Sequence, residues 1–254
     1  MTVLRTVAGE IASVVTHAVR YPAGIGRRWA IHPVHRSVPA PVPGRPLVVL
    51  PGLADNTAIF TDLKLALDRC GAGPVVSFSY SLLLRDVRSA AARLAEQIEQ
   101  LCEVTGAATL DLVGHSLGGL IARYYVQRLG GHERVDTVVT VGTPHGGTVA
   151  AWLFSPIPLA RQLRPGSDLL AELDQPAPDC ATKFVAFSSD GDELVLPSRH
   201  GRIEHPDLDV RNVVLPGVGH LALAAHRQVV EEICALSAPV AAPDDDGETL
   251  TRSA

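Results

Sequence analysis

From residue 47 onward the chain alternates between short unbroken apolar runs and longer segments whose apolar residues recur every three or four positions. Leu47-Val48-Val49-Leu50 is a run of the first kind, too short for a helix and bounded by Pro and Gly. The same reading predicts strands over 74–79, 109–113, 135–141, 183–188 and 211–215. Helical periodicity predicts helices over 57–70, 85–104, 117–129 and 220–236. In the second of these, Val87, Ala91, Leu94, Ile98 and Leu101 make the inward stripe. Strand-then-helix alternation of this kind predicts an α/β fold, a mostly parallel central sheet with helices on both faces. No internal repeat interrupts it.

Three stretches fall outside the alternation. Residues 2–20 carry Val3, Leu4, Val7, Ile11, Val14, Val15, Ala18 and Val19 at helical spacing, and 21–46 are rich in Pro, Gly and Arg. Residues 1–46 are therefore expected to be an amphipathic helix followed by an extended connector. The helix either packs on the body or lies on a lipid surface. Residues 238–254, with Pro239, Pro243 and Asp244-Asp245-Asp246, are expected to be a disordered acidic tail. Between predicted strands lies an insertion, 148–179, in which Trp152, Phe154, Ile157 and Leu159 are punctuated by Pro156, Pro158 and Pro165. Short, Pro-punctuated apolar helices there suit a mobile cover or an apolar wall on the catalytic body of 47–237, though some of these residues must simply pack on it.

The chemistry begins at residues 110–119, LDLVGHSLGG. A G-x-S-x-G run is weak alone, because Gly and Ser gather in ordinary turns. Here an apolar strand leads in and a helix leads out, which is the context a nucleophile elbow requires. Ser116 is the expected nucleophile. A hydroxyl is almost fully protonated at neutral pH and needs a base, with the acid and the His following the Ser in chain order. Of ten histidines, His220 follows the strand run Val213-Val214-Leu215 and a glycine-broken loop, where residues gather over the C-terminal ends of a parallel sheet. It is the expected base. His32 and His35 fall in the Pro-rich lead-in, His200 and His205 in a polar connector, and His226 inside a helical pattern.

The acid is sought after the strand that ends near Ser188. Asp192 begins an Asp-x-x-Val-x-Pro pattern whose apolar residues can anchor the loop, and it is the expected partner of the imidazole. Asp190, in an Asp-Gly pair, reads as a turn residue; it and Glu193 stay as alternatives. The oxyanion hole needs one N–H from the residue after the nucleophile, Leu117, and one from a loop after an earlier strand. Leu53, in Leu50-Pro51-Gly52-Leu53, is the candidate for the second.

Taken together, LPGL at 50–53, GHSLGG at 114–119, VGTPHGG at 141–147, DELVLP at 192–197 and PGVGH at 216–220 resemble the bacterial lipase/esterase branch of the α/β-hydrolase superfamily. The similarity spans roughly residues 45–236. It departs at Pro51-Gly52, where many lipases have His-Gly. The resemblance implies an α/β-hydrolase fold and a cofactor-free, metal-free serine ester hydrolase acting on lipid-like esters. Trp152, Phe154, Ile157 and Leu159 would then line the acyl site. The same triad would also serve an acyltransferase, or stand unused in a binding protein on the same scaffold. His115 and His145 are expected to pack or hydrogen-bond.

Composition narrows the classes further. A length of 254 residues suits one α/β domain, 46% hydrophobic and 19% charged residues are globular values, and a net charge of −5 gives no electrostatic case for nucleic acid. Cys70, Cys102, Cys180 and Cys234 show no metal-binding spacing, and a disulfide among them is left open. No Walker loop, H-E-x-x-H or dinucleotide fingerprint occurs. The sequence implies no obligate protein partner. Without a continuous apolar leader or an 18-residue apolar span, the expected location is cytoplasmic or peripheral to a membrane.

Overall fold

The computed structural model describes residues 45–52, 61–70, 73–78, 86–153 and 158–237. The predicted helix over 2–20, nearly all of the 21–46 connector, the acidic tail, and Leu53, Phe154 and Ile157 lie outside the described residues. Among the described residues six strands form one sheet: β1 (Leu47–Leu50), β2 (Val75–Ser77), β3 (Leu110–His115), β4 (Val135–Val141), β5 (Lys183–Ser188) and β6 (Asp209–Val214). Their order is β2-β1-β3-β4-β5-β6 and every pair is parallel. The helices are α1 (Thr61–Arg69), α2 (Val87–Thr105), α3 (Leu117–Arg128), α4 (Pro158–Gln162), α5 (Asp168–Leu173), α6 (His220–Leu223) and α7 (Arg227–Ser237).

Strand alternation sorts the core into two layers. Val49, Val113, Val139 and Val185 stand in register across four strands, and all four face a layer containing Leu63 and Leu67 of α1 and Val229 and Ile233 of α7. Their neighbours Val48, Leu112, Val138 and Phe184 face the opposite way, onto Leu94, Ile98, Leu120 and Ile121 of α2 and α3. Apolar runs with no polar face are what a sheet covered on both sides demands. The predicted stripe of α2 is observed, and its ends are capped. Asp86 accepts from the Arg88 N–H at 3.3 Å, and Gly106 closes the helix at φ 71°.

From β1 the chain first moves out to the edge at β2 and then returns to β3 on the other side. The strand order therefore reverses between β1 and β3. Ligand crevices form at such a point, outside the C-terminal ends of the strands. Leu50 and His115, the last residues of the two strands, lie at that end of the sheet.

Three expectations shift. The predicted helix 220–236 is two helices, broken over 224–226, where the Gln228 N–H turns back onto His226 Nδ1 at 3.3 Å. β6 starts at Asp209 rather than 211, an edge strand with no fully buried position. The insertion after β4 is largely body rather than cover: Leu159, Leu163, Leu169, Leu170 and Leu173 belong to the α2/α3 core layer. The end of α5 is tied to α3 by Arg123, whose Nη2 donates to the Leu173 carbonyl at 3.2 Å, and by Tyr124, whose hydroxyl donates to Glu172 at 2.9 Å.

Candidate active site

At the end of β3 the backbone turns sharply into α3, and Ser116 occupies the turn at φ 53°, ψ −122°. It is the sole non-glycine residue with positive φ among the described residues. Such strain, on the order of 1–3 kcal/mol, persists where the surroundings over-determine it. They do so through close backbone approach. A Cβ on Gly114 would lie 2.5 Å from Gly119 Cα, and one on Gly118 would lie 2.3 Å from the Leu50 carbonyl oxygen. The two flanking glycines thus let α3 fold back against its own strand and against the end of β1. The Ser116 N–H donates to the Val141 carbonyl at 2.9 Å, pinning the turn to β4 as well. Ser116 itself is half-buried.

The loop after β5 supplies the carboxylate. Asp192 Oδ1 accepts from the N–H groups of Leu194 (2.8 Å) and Val195 (2.9 Å), and Oδ2 accepts from His220 Nδ1 at 2.8 Å. Both side chains are buried. Burial alone would raise the Asp192 pKa; the bond to His220, its charge and the two amide donors outweigh burial, and the carboxyl is held below its ordinary range. An ionised carboxylate only accepts, so Nδ1 of His220 carries the proton and Nε2 is left as the basic nitrogen.

Beneath this pair runs Gly142, at φ 57°, where a Cβ would stand 3.2 Å from His220 Nδ1 and 3.3 Å from Asp192 Oδ2. Because the residue before it, Val141, receives the Ser116 N–H, the elbow and the Asp192–His220 pair are built on the same strand end. His115, next to Ser116, is fully buried and donates from Nε2 to the His220 carbonyl at 3.2 Å, with the two rings 4.8 Å apart. Its ring thereby holds the His220 backbone in place.

Asp190 does something else. Its Oδ1 accepts from the Gly217 N–H at 2.6 Å, while Ser189 Oγ accepts from Gly191 and Val218, each at 3.0 Å. Those bonds strap the loop after β5 to the loop carrying His220. Sequence reading missed this strap, because Asp190 and Gly217 lie far apart in the chain and only the fold brings them together. Glu193 is exposed and takes no part in the pairing. Leu117 is the first residue of α3, so its N–H has no carbonyl to reach inside the helix. Leu53, the other oxyanion candidate, falls outside the described residues; Pro51 and Gly52 before it are buried, the Pro51 carbonyl lying against Gly118.

The acyl-wall residues separate. Trp152 is 58% and Leu153 82% exposed, and Trp152 stacks under the Arg164 guanidinium at 3.9 Å. Leu159, expected in the wall, is 3% exposed and packs in the α2/α3 core layer. Thr148 ties the start of the insertion to the acid loop: its Oγ donates to the Leu194 carbonyl (2.7 Å) and accepts from the Leu196 N–H (3.0 Å). Val149, Leu194 and Leu196 are thereby brought together, all at least 40% exposed. A cavity of about 360 Å³ elsewhere, lined by Arg123, His145, Asp174 and Arg199 among others, includes none of Ser116, Asp192 and His220. No cluster of residues able to hold a metal ion occurs among the described residues. Nor is any described helix long and apolar enough to cross a membrane.

The palmitoyl protein thioesterase family matches residues 46–170, a span that contains the elbow and ends before Asp192 and His220. Over 56 residues, 22% of this chain, the sequence is 39% identical to triacylglycerol lipases of Pseudarthrobacter phenanthrenivorans and Burkholderia plantarii, and the match spans 17% and 15% of those relatives. Aspergillus fumigatus lipase B superposes with a TM-score of 0.66 at 19% identity, covering 77% of this chain and 53% of that one. Mature Bacillus licheniformis lipase BlEst2 gives 0.63 at 17% identity over 81% of this chain and 96% of the other. At these identities the likeness establishes the fold.

Proposed function

We propose that this chain, an α/β-hydrolase by fold, is a serine ester hydrolase of the lipase or carboxylesterase kind. The observation that carries the reading is the strained elbow of Ser116, built on the same strand end as the buried Asp192–His220 pair. In the proposed cycle Ser116 Oγ attacks the ester carbonyl as His220 Nε2 takes its proton. Asp192 holds the tautomer and stabilises the imidazolium. The N–H groups of Leu117 and Leu53 receive the oxyanion. His220 then protonates the departing alcohol and activates the water that releases the acid. No metal or cofactor enters these steps.

The substrate we propose has an apolar acyl chain. Trp152 and Leu153, with Val149, Leu194 and Leu196 beside the acid loop, form the apolar rim that supports this choice. A lipid surface is the natural source of such esters. A thioester reading is favoured by one observation, the match to the palmitoyl protein thioesterase family across the elbow. A thiolate leaves without needing the proton from His220, so the two readings separate on substrate. A panel of p-nitrophenyl esters from C2 to C16, run beside acyl-coenzyme A thioesters and with and without added alcohol, tests both and exposes acyl transfer. Turnover of the esters, rising with chain length, is the expected result. Turnover confined to thioesters would replace the ester reading, and no turnover of either would overturn it.

A further inference from the structure

Two cysteines that the catalytic reading does not use meet on the far face of the sheet. Cys70 follows the last residue of α1, and Cys234 lies in the middle of α7. The Cys70 thiol donates to the Leu67 carbonyl at 3.4 Å, and the Cys234 thiol lies 4.0 Å from the carbonyl of the preceding residue, Ala66. That same Ala66 carbonyl accepts the Cys70 backbone N–H at 3.1 Å. Both sulfurs therefore sit over one turn of α1, against the carbonyls of the adjacent residues Leu67 and Ala66. Beneath them Leu63 and Leu67 of α1 pack with Val229 and Ile233 of α7, so the pair rests on a fixed helix–helix contact. The other two cysteines, Cys102 and Cys180, are buried.

We infer that Cys70 and Cys234 are a disulfide-forming site that covalently joins α1 to α7. Cys70 is exposed and Cys234 only partly so, which sets the order of events. The Cys70 thiolate attacks one sulfur of a low-molecular-weight disulfide such as oxidised glutathione, forming a mixed disulfide and releasing one glutathione thiolate. Cys234, deprotonated, then attacks the Cys70 sulfur and expels the second. Two thiols are oxidised, one disulfide is reduced to two thiols, and the two protons pass to the released glutathiones. Burial, with the neighbouring sulfur, pushes the Cys234 thiol up to about 11, so Cys70 is the attacking group and Cys234 the resolving one.

The bond has a consequence for the active face. α1 is the first described helix after β1, and α7 is the helix after α6, which begins at His220. A bond between them closes a loop of roughly 160 residues, which restricts the unfolded chain strongly. It fastens together the two segments that flank the catalytic groups, without touching those groups.

The test treats the full chain with oxidised glutathione, blocks remaining thiols by alkylation, and maps the peptides without reduction. The expected result is a single intramolecular Cys70–Cys234 peptide pair, Cys102 and Cys180 still as thiols, and a Tm raised by on the order of 10 °C and reversed by dithiothreitol. Cys70→Ser, at an exposed position, should leave the reduced protein's Tm unchanged and abolish the rise on oxidation; Cys234→Ser should abolish it too. Recovery of Cys70 and Cys234 as separate peptides, a link between two chains only, or an unmoved Tm in the linked protein would overturn the inference.

Discussion

Asp192 and Asp190 are two residues apart on one loop, yet their oxygens face different partners. Asp192 Oδ2 receives His220 Nδ1, whereas Asp190 Oδ1 receives the Gly217 N–H. Asp192→Asn should cost about 10⁴ in kcat, because an amide can present its NH₂ to the imidazole and reverse the tautomer. Asp190→Asn keeps an acceptor for Gly217 and should change kcat by less than about tenfold. Equal losses, read from initial rates on one ester, would show that the strap rather than the Asp192–His220 bond sets the base. The Asp-x-x-Val-x-Pro pattern made Asp192 readable in sequence because its Oδ1 needs the two N–H groups that follow it, those of Leu194 and Val195. The role of Asp190 was not readable, since Gly217 is distant in the chain and only the fold brings it near.

The elements show a similar division. β1, β3, β4 and β5 were legible because runs such as Leu47–Leu50 have no polar face, which only a doubly covered strand tolerates. The break over 224–226 was not, since Leu-Ala-Leu-Ala-Ala-His is good helical sequence and tertiary packing overrides it. Leu159 and Trp152 look alike in a Pro-punctuated stretch; burial separates them, and periodicity cannot. Two glycine substitutions test the elbow as an element. Gly118→Ala drives a Cβ into backbone, 2.3 Å from the Leu50 oxygen, and should abolish activity and lower the Tm sharply. Gly106→Ala, at φ 71° with nothing within 4 Å, should cost only about 1–2 kcal/mol in denaturant unfolding and leave kcat alone. The insertion carries its own prediction. Trp152→Ala should lower kcat/KM for C12 and C16 esters several-fold more than for C2, at about 0.8 kcal/mol per methylene left unburied. A uniform loss across chain lengths would remove Trp152 from the acyl site.

At the scale of the whole molecule, the sheet has chemistry at one end and a buried charge at the other. Asp111, 2% exposed near the start of β3, bonds Arg45 at 3.2 Å and accepts the Thr137 N–H at 3.1 Å. Burial nevertheless raises it to about 6, overcoming the pull of Arg45. Between about pH 4 and 6 the native state then holds a proton that the unfolded state has lost, so this group's contribution to stability falls as pH rises through that window. Asp192, held low, acts in the opposite sense, its contribution being lost as pH falls below the ordinary carboxylate range. Asp111→Asn should therefore flatten the pH 4–6 slope of unfolding free energy by on the order of 2 kcal/mol relative to the parent; an unchanged slope would mean Asp111 ionises normally. The central claim rests on the opposite end of the sheet, and intact-mass spectrometry with a fluorophosphonate tests it most directly. The account predicts one adduct per chain, mapped to Ser116, forming in step with the loss of p-nitrophenyl ester turnover. It also predicts neither adduct nor turnover in Ser116→Ala at a Tm within about 2 °C of the parent. An adduct on another residue, or a Ser116→Ala protein that still turns over ester, would contradict it.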